Sequence, residues 1–495
     1  MSAATQSVIP VSPRTTWSAR LFSLPAVLGL TLLWMLFVFA SQAGITDPDI
    51  WWHLRNASQL AHSGHFIRSD SWTFTVAGKP WIDFEWLAEL PYYFAYQWLG
   101  DRGLYLVMML LGGGIVTGVY GLALMRSRDA LASFACGVIA VLCATVSMAP
   151  RTLLFGWLFL VIEIAILWSL SRGRDYTAWL PPLFLVWINT HGSWFIGFVM
   201  MLAYFAAGWL NGEWGNLYAS PWTPPQKRRL IAVSAIAFAL LFINPYGWRL
   251  VAYPLDVAFH QKETLQNIAE WASLDFHTVR GKTILAVFFL FAVLQLIRRR
   301  RWNVQDLLFA LLAIFGAVTY VRFVFLAGIV IAPLLAIDLR ADRPGSSQRG
   351  NPNQWFFALA GAVLLVLIAL RIPSNQQLEA GVAQAYPAKA IPYVRSLAGK
   401  GNLLSNFNWS AFLEWNAPEV KEFADTRVDI FVHEGVLNDY VHAARVQDTF
   451  AILDKYRIRY VLMPPADPIS YLLRHSSDWK VTYDDGQAVA FERVR

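Results

Sequence analysis

The chain alternates long apolar runs with short polar connections as far as residue 371. About twenty apolar residues, wound as a helix, cross the ~30 Å hydrocarbon core of a bilayer. We therefore predict about eleven membrane-spanning helices, at 22–43, 104–125, 130–148, 152–170, 177–190, 193–210, 230–244, 282–297, 304–320, 323–338 and 355–371. The fifth and seventh runs are short for a bilayer, so we expect their ends to meet water or protein early.

Basic residues mark one side of these predicted helices. With the N-terminus in the cytoplasm, the connections after the second, fourth, sixth, eighth and tenth runs face the cytoplasm, and each carries arginine or lysine, as the positive-inside rule requires. These residues are Arg126, Arg128, Arg172, Arg174, Lys227, Arg228, Arg229, Arg298, Arg299, Arg300, Arg301, Arg340, Arg343 and Arg349. The first run is longer than the core of a signal peptide, so we predict a retained helix.

Three large polar pieces then fall on the outer side, at 44–103, 245–281 and 372–495. In the last piece, the strand-like segments NLLSNF, KEFADTR, RYVLMP and AVAFERV alternate with helical stretches such as 446–457. This alternation is typical of a small α/β domain. We therefore predict a transmembrane module over 1–371, followed by a soluble extracytoplasmic (periplasmic) α/β domain.

Composition supports a membrane protein, because 56% of the residues are hydrophobic and only 15% are charged. Soluble domains are nearer half apolar and a quarter charged. The 23 tryptophans fit a chain with many water–lipid boundaries. The net charge of +7 does not indicate nucleic acid as a partner, since the arginines lie in short loops between apolar runs.

The first outer loop opens with ITDPDIWWHL, an unusual set of residues for the end of a membrane helix. Asp47 precedes a proline, which predicts a helix over 48–62 with Asp47 as its N-cap. On that helix Asp49 lies one turn before His53, and a carboxylate beside an imidazole is a plausible general-base arrangement. The alternative is a salt-bridged helix that only anchors the chain at the interface. We predict Asp49 as the base and Asp47 as the cap.

Other polar residues fall on the same outer side, among them three arginines that run against the positive-inside bias. Each arginine alone could be a snorkelling anchor. Three of them near an imidazole and several carboxylates indicate an anion-binding cavity that opens outward. The candidate substrate-binding residues are Arg151, Arg322, Arg249, His191, Asn189, Glu85 and Glu270.

The motifs DPDIWWHL, APRTLLFGW, WINTHGSW, INPYG, EWASLDF and VRFVFL together resemble bacterial polytopic proteins of the GT-C glycosyltransferase superfamily. The resemblance covers most of the chain. It implies a multi-pass protein of the bacterial inner membrane that transfers sugar from a polyprenyl-phosphate donor. It also implies that the first-loop acidic motif, Asp47 or Asp49, supplies the catalytic carboxylate, and that Arg151, Arg322 and Arg249 hold the donor phosphate.

The resemblance leaves the metal, the second acidic residue and the acceptor open. The oligosaccharyltransferase branch uses a metal and other branches do not, so no cofactor is certain and a divalent metal is compatible with the sequence. Glu85 matches a second acidic position that varies within the superfamily. The acceptor is a glycan, a lipid or a protein, and membrane lipid is a further partner.

The expected chemistry needs one base and positive charge. A lipid phosphate leaves without a general acid if cations stabilise its developing charge, and a single carboxylate suffices for inversion at the anomeric carbon. Two opposed carboxylates, as in a hydrolase, are not excluded. A transporter or flippase would ordinarily show duplicated halves or polar groups at the midplane. A membrane scaffold would explain the soluble domain but not the outer arginines.

Overall fold

The computed structural model describes residues 22–40, 44–144, 148–260, 271–341 and 354–494. Helices dominate the part before residue 372. These helices are α1 (Leu24–Ala40), α2 (Asp49–Ser63), α3 (Trp86–Leu99), α4 (Asp101–Ser127), α5 (Ala130–Ala144), α6 (Leu153–Leu170), α7 (Leu180–Ile188), α8 (Trp194–Ala207), α9 (Pro224–Leu240), α10 (Trp248–His260), α11 (Val279–Arg298), α12 (Val304–Thr319), α13 (Val324–Leu339) and α14 (Gln354–Ala369).

Every one of the eleven apolar runs contains a helix. Within the described ranges, four helices are long and apolar enough to cross a membrane: α4, α6, α11 and Val321–Leu339, which joins a 3-10 turn to α13. The seventh run differs from its prediction of 230–244, because α9 begins at Pro224 and ends at Leu240. A Thr223 capping box and prolines at the first helical positions start α9 early.

Helix α13 forms the centre of the membrane module, and α4, α5 and α12 pack around it. Small residues let neighbouring helices approach closely. This is expected in a membrane, where the hydrophobic effect does not drive helices together and close packing holds them instead. A Cβ added to Gly137 of α5 would come within 2.3 Å of Leu32 Cδ1 on α1. A Cβ on Gly118 of α4 would come within 2.5 Å of Val161 Cγ1 on α6.

Two short β-structures complete the chain. The first is a three-stranded ribbon of β1 (Gly212–Trp214), β2 (Leu217–Ala219) and β3 (Trp302–Asn303). The second is the four-stranded sheet of the C-terminal domain, with β4 (Asn402–Ser405), β5 (Ile458–Met463), β6 (Trp479–Asp484) and β7 (Val489–Arg493) in the order β4-β5-β7-β6. Strands β4 and β5 are parallel, and the other pairs are antiparallel.

Helices accompany this sheet in the C-terminal domain. They are α15 (Asn375–Ala385), α16 (Ile391–Ser396), α17 (Phe407–Asn416), α18 (Val428–Val432), α19 (Val436–Ala444), α20 (Thr449–Lys455) and α21 (Pro468–Arg474). Three predicted strand segments are strands, but KEFADTR is not: it makes one isolated bridge, between Glu422 and Thr73. Sequence reasoning missed β6, and the helix predicted over 446–457 is the shorter α20.

Helix α2 lies between the membrane module and the C-terminal domain, packing on α3 with one face and on α17 with the other. Its apolar face is buried, and the Trp51 ring meets Tyr386 and Phe412 edge to face, with centroids 5.7 and 5.1 Å away. Both faces are covered by protein as far as Ala57, and the polar face meets Glu89 of α3 and Glu85 just before that helix.

A buried charge cluster joins the first outer loop to the C-terminal domain. The Arg427 guanidinium donates from Nη2 to Asp70 Oδ1 at 2.6 Å and to Asp425 Oδ2 at 2.5 Å. It lies between the rings of Trp72 and Trp81, with its Cζ 4.2 and 4.8 Å from their centroids. The KEFADTR segment therefore contributes a buried ion pair where a strand was predicted.

Candidate active site

Asp47 and Arg151 form an ion pair that joins the first outer loop to the start of α6. Asp47 is buried, and its Oδ1 also accepts a hydrogen bond from the Asp49 N–H at 3.0 Å. The helix begins at Asp49, one residue later than predicted, and Pro48 takes the N-cap position. The Asp47 carboxylate therefore supports the helix start and at the same time neutralises an arginine that we expected to hold phosphate.

His53 was predicted to work beside Asp49, but both of its ring nitrogens face glutamates. Nδ1 lies 2.8 Å from Glu89 Oε1, and Nε2 lies 3.4 Å from Glu85 Oε2. The ring is buried, and burial lowers the pKa of His53 well below its ordinary value, with the nearby His191 adding to the effect. His53 is therefore a neutral member of a carboxyl cluster, and its nitrogens are not available to assist Asp49.

Glu85 lies at the centre of this cluster, between two imidazoles. His191 Nε2 is 3.2 Å from Glu85 Oε1, on the side opposite His53. The His191 Nδ1 accepts the Ser193 N–H at 3.0 Å, so this nitrogen carries no proton. The proton of the neutral ring is therefore on Nε2 and is donated to Glu85. Burial, and next the charge of Arg322, lower the pKa of His191 to about 3.

The carboxyl groups of the cluster hold their protons more tightly than usual. Burial raises the pKa of Glu85 well above its ordinary value, and the charges of Asp49 and Asp83 raise it further. Burial, followed by the charges of Asp83 and Glu85, does the same for Glu89. Burial raises the pKa of Asp83 to about 7. Burial therefore disfavours the charged form of all three carboxyl groups.

Three members of the cluster were not among the predicted site residues: Asn56, Asp83 and Glu89. Asn56 Nδ2 donates to Asp83 and, at 2.7 Å, to Glu89 Oε2. Spacing gave a usable signal, because Glu85 and Glu89 are four residues apart and His53 and Asn56 are three apart. Residues so spaced share a helix face. What the sequence could not indicate is that these two faces meet.

Arg322 approaches the same cluster from the turn before α13. Its Cζ lies 4.4 Å from the ring centroid of Trp271. Its positive charge opposes the rise in the pKa of Glu85 and contributes to the lowered pKa of His191. Arg249 differs, because its side chain is exposed and among the described residues it forms no ion pair. Glu270 lies outside the described residues.

Asn189 supports the structure around the site, and its role in substrate binding stays a prediction. Its Nδ2 donates to the carbonyl oxygens of Leu185 and Ile243, both at 2.9 Å. Its Oδ1 accepts the Trp86 Nε1–H at 3.1 Å. Through these hydrogen bonds the side-chain amide of Asn189 connects α3, α7 and the segment that follows α9.

The residues that the structure describes do not fit a metal ion. Among the described ranges, no group of three or more His, Cys, Asp or Glu is placed to hold one. The Asp-x-Asp pair offers only Asp49, since Arg151 already neutralises Asp47. We therefore derive no catalytic step through a metal.

The geometry can be compared with known proteins. No protein-family model matches the chain, and no curated protein matches it by sequence. The solved oligosaccharyltransferase of Archaeoglobus fulgidus, tethered to an acceptor peptide with the NVT sequon, is similar: 13% identity, a TM-score of 0.54, and coverage of 96% of this chain and 75% of that one. The oligosaccharyltransferase AglB of that organism, in complex with an inhibitory peptide and a dolichol-phosphate, is also similar. Its identity is 12% and its TM-score 0.54, with coverage of 96% of this chain and 74% of that one.

A weaker likeness, with a TM-score of 0.47 and 15% identity, is to ArnT from Cupriavidus metallidurans bound to undecaprenyl phosphate, over 97% of this chain and 98% of that one. The likeness to the oligosaccharyltransferase, at such low identity, establishes the fold. The chain has the GT-C membrane fold: an α-helical polytopic membrane protein with a C-terminal domain that contains a sheet. The predicted fold class is confirmed.

Proposed function

We propose that the protein is an integral-membrane glycosyltransferase that moves a sugar from a polyprenyl-phosphate donor to an extracytoplasmic acceptor. One observation carries the proposal. On a GT-C fold, the acidic motif of the first outer loop meets Arg151, while the charge of Arg322 acts on the neighbouring Glu85. An acid motif beside cations from two separate helices is the arrangement that a phosphate leaving group and a single base require.

Asp49 is the proposed base. It is half-buried at the first position of α2, whereas Asp47 is buried and held by Arg151. Its carboxylate would accept the proton of the acceptor O–H or N–H as that atom bonds to the anomeric carbon. The bond from this carbon to the phosphate oxygen breaks, and its electron pair stays on the phosphate. Inversion follows, because attack and departure occur on opposite faces of the sugar.

Arg322 is the proposed phosphate ligand, with Arg151 as a second contributor. A guanidinium offers a fixed fork of donors that matches phosphate geometry. Burial disfavours the charged form of Glu85, which fits this role, because a second ionised carboxylate would weaken the pull of Arg322 on an anion. Arg249 and His191 are left as substrate contacts proposed by sequence alone.

We further propose that the N-terminus is cytoplasmic, that the domain from residue 372 faces outward, and that the membrane is the bacterial inner membrane. The basic connections support this orientation. A reporter that is active only in the cytoplasm, fused after the last residue, should be silent. Activity of that reporter would place the candidate site on the wrong side for a lipid-borne donor.

The test of function is a pair of variants in nanodiscs. The protein would receive a panel of polyprenyl-phosphate sugars and an envelope glycolipid extract as acceptor, and released polyprenyl phosphate would be measured. Asp49→Asn removes the basicity and keeps the size, so turnover should fall by about 10²-fold or more with an unchanged unfolding temperature. Asp47→Asn can still accept the Asp49 N–H but no longer balances the charge of Arg151.

The outcomes separate the roles of the two aspartates. Loss in Asp49→Asn with partial activity in Asp47→Asn supports the assignment. Full transfer by Asp49→Asn with loss in Asp47→Asn would exchange the two roles. Full transfer by both variants would make the loop a structural anchor, and no turnover by the unaltered protein with any donor would favour a scaffold.

A further inference from the structure

A groove of about 740 Å³ lies on the C-terminal domain, within residues 446–477 and outside the candidate active site. One wall is formed by Val446 and Phe450, at the start of α20. The other wall is formed by Tyr471 and His475, at the end of α21. This volume is in the range of ligand sites, which hold roughly 300–1,000 Å³. Nothing in the proposed transfer chemistry uses it.

The walls present large apolar surfaces to solvent. Tyr471 is 70% exposed, Phe450 43% and Val446 40%. Tyr471 and His475 are one helical turn apart, and their ring centroids are 4.3 Å from each other at an interplanar angle of 38°. At this separation the two rings partly cover each other, and their remaining exposed surface forms the aromatic platform of the groove. Exposed aromatic rings gathered around one concave surface indicate a binding site, since single scattered ones are ordinary.

His475 adds a hydrogen-bond acceptor to this platform. Its Nδ1 lies 2.8 Å from the backbone carbonyl oxygen of Tyr471. A carbonyl oxygen can only accept, so Nδ1 carries the proton. In the neutral ring, Nε2 is then a lone-pair acceptor, and it makes no hydrogen bond with the described residues. Ser477, whose Oγ donates to Asp478 Oδ1 at 3.3 Å, has lone pairs left to accept further bonds.

The opposite wall is held in an unusual backbone conformation. Val446 has φ of 60°, in the left-handed region, and Asp448 has φ of 53°. For a β-branched residue this conformation is a true outlier, costing about 1–3 kcal/mol. Backbone bonds fix it, with the Gln447 N–H on the His442 carbonyl at 2.8 Å. Such strain concentrates at ligand-binding surfaces, and here it fixes Val446 across the groove from the aromatic platform.

We propose that this groove binds a neutral carbohydrate. A sugar ring has an apolar C–H face that packs on aromatic rings and a rim of hydroxyls that donate hydrogen bonds. The Tyr471–His475 platform matches the face, and His475 Nε2 with Ser477 Oγ matches the rim. The lining contains no Asp, Glu, Lys or Arg, which favours an uncharged ligand. A purely apolar partner would leave these polar atoms unpaired.

The test uses the full-length protein in nanodiscs and a panel of neutral oligosaccharides of glucose, galactose, mannose and N-acetylhexosamines. Saturation-transfer NMR would detect binding, and a titration would give Kd. Tyr471→Ala removes half of the platform and should weaken binding by about 10-fold or more. His475→Ala should weaken it too, whereas His475→Gln keeps an acceptor and should recover part of it. Val481→Ala, an exposed position of β6 outside the groove, is the matched control.

The outcomes are independent of the proposed transfer reaction, since binding is measured with no donor present. Saccharide binding that falls in Tyr471→Ala and stays in Val481→Ala supports the proposal. No binding by the folded protein to any member of the panel overturns it. Equal binding by Tyr471→Ala also overturns it. Loss of self-association in Tyr471→Ala without saccharide binding would assign the groove to a second copy of the chain and overturn it as well.

Discussion

Replacing Arg427 by methionine tests whether the buried charge cluster fixes the C-terminal domain to the first outer loop. The Arg427 side chain is 1% exposed, and its partner Asp70 is 0% exposed. Burial, and next the charge of Asp425, raise the pKa of Glu414 well above its ordinary value, and burial raises that of Glu422 to about 8. Burial disfavours the charged form of both glutamates, so the charges of Arg427 and Arg55 mainly balance those of Asp70 and Asp425.

Arg427→Met leaves this balance one positive charge short. Removing one partner of a buried pair costs about 3–5 kcal/mol, because a charge is left uncompensated. Losing the contacts with two tryptophan rings adds about 1–2 kcal/mol. Asp70 retains the Thr73 N–H at 3.1 Å and the Thr73 hydroxyl at 2.8 Å, which moderates the loss. We expect a total near 4–6 kcal/mol, comparable with the whole stability of a domain.

Thermal unfolding in detergent, followed by tryptophan fluorescence, measures this loss. Trp72 and Trp81 lie against the guanidinium, so they contribute to this signal together with the other tryptophans of the chain. Arg459→Met is the matched control, because its ion pair with Glu492 is 3.2 Å long but the arginine side chain is 54% exposed. Exposed pairs contribute about 0–1 kcal/mol. If both variants shift the transition equally, the cluster does not carry the interface.

Two further predictions concern stability alone. The pKa of Asp83 is raised to about 7 and that of Glu422 to about 8. The folded protein therefore holds these protons more tightly than the unfolded chain does. The resulting stabilisation is complete below the ordinary pKa values and is lost as the pH rises through 7 to 8. The unfolding temperature should therefore fall between pH 5 and pH 8.5, and less so in Asp83→Asn; an unchanged slope in that variant would contradict the shift. Gly137→Ala places a methyl group 2.3 Å from Leu32 Cδ1 and should cost about 1–3 kcal/mol, whereas Gly121→Ala, with nothing within 4 Å, should be neutral or stabilising. Equal unfolding temperatures for the two variants would show that α1 and α5 are not in close contact.

The membrane helices could be predicted from the sequence because span length and apolar character are local properties. Errors appeared where a boundary depends on a cap, as at Thr223, which begins α9 ahead of the apolar run. In the C-terminal domain, KEFADTR reads as a strand by composition. Its Arg427 instead pairs with Asp425 and with Asp70, which is more than 350 residues earlier in the chain. A local pattern cannot show such a partner.

The candidate site was predicted in part. The first-loop acids and the outer arginines could be listed because charges at helix ends are conspicuous against an apolar background. Which acid pairs with which arginine could not be predicted, since this depends on which helix ends meet. Asp47 forms an ion pair with Arg151, and Asp49 is half-buried. His53, which sequence periodicity placed with Asp49, is held by Glu89 of α3 and by Glu85 just before that helix, because the turn of α2 that carries it faces α3.

Helix α2 connects the two parts of the molecule, and this has a consequence for the proposed reaction. Asp49 and His53 lie on the same fifteen-residue helix as Trp51, whose ring packs on Tyr386 and Phe412 of the C-terminal domain. Because a helix is stiff over four turns, a shift of the domain moves Asp49 relative to Arg322, which belongs to a separate helical turn of the membrane module. Misplacement of reacting groups by about 1 Å costs up to 10²-fold in rate. We therefore expect a shift of the C-terminal domain to change the position of the proposed base.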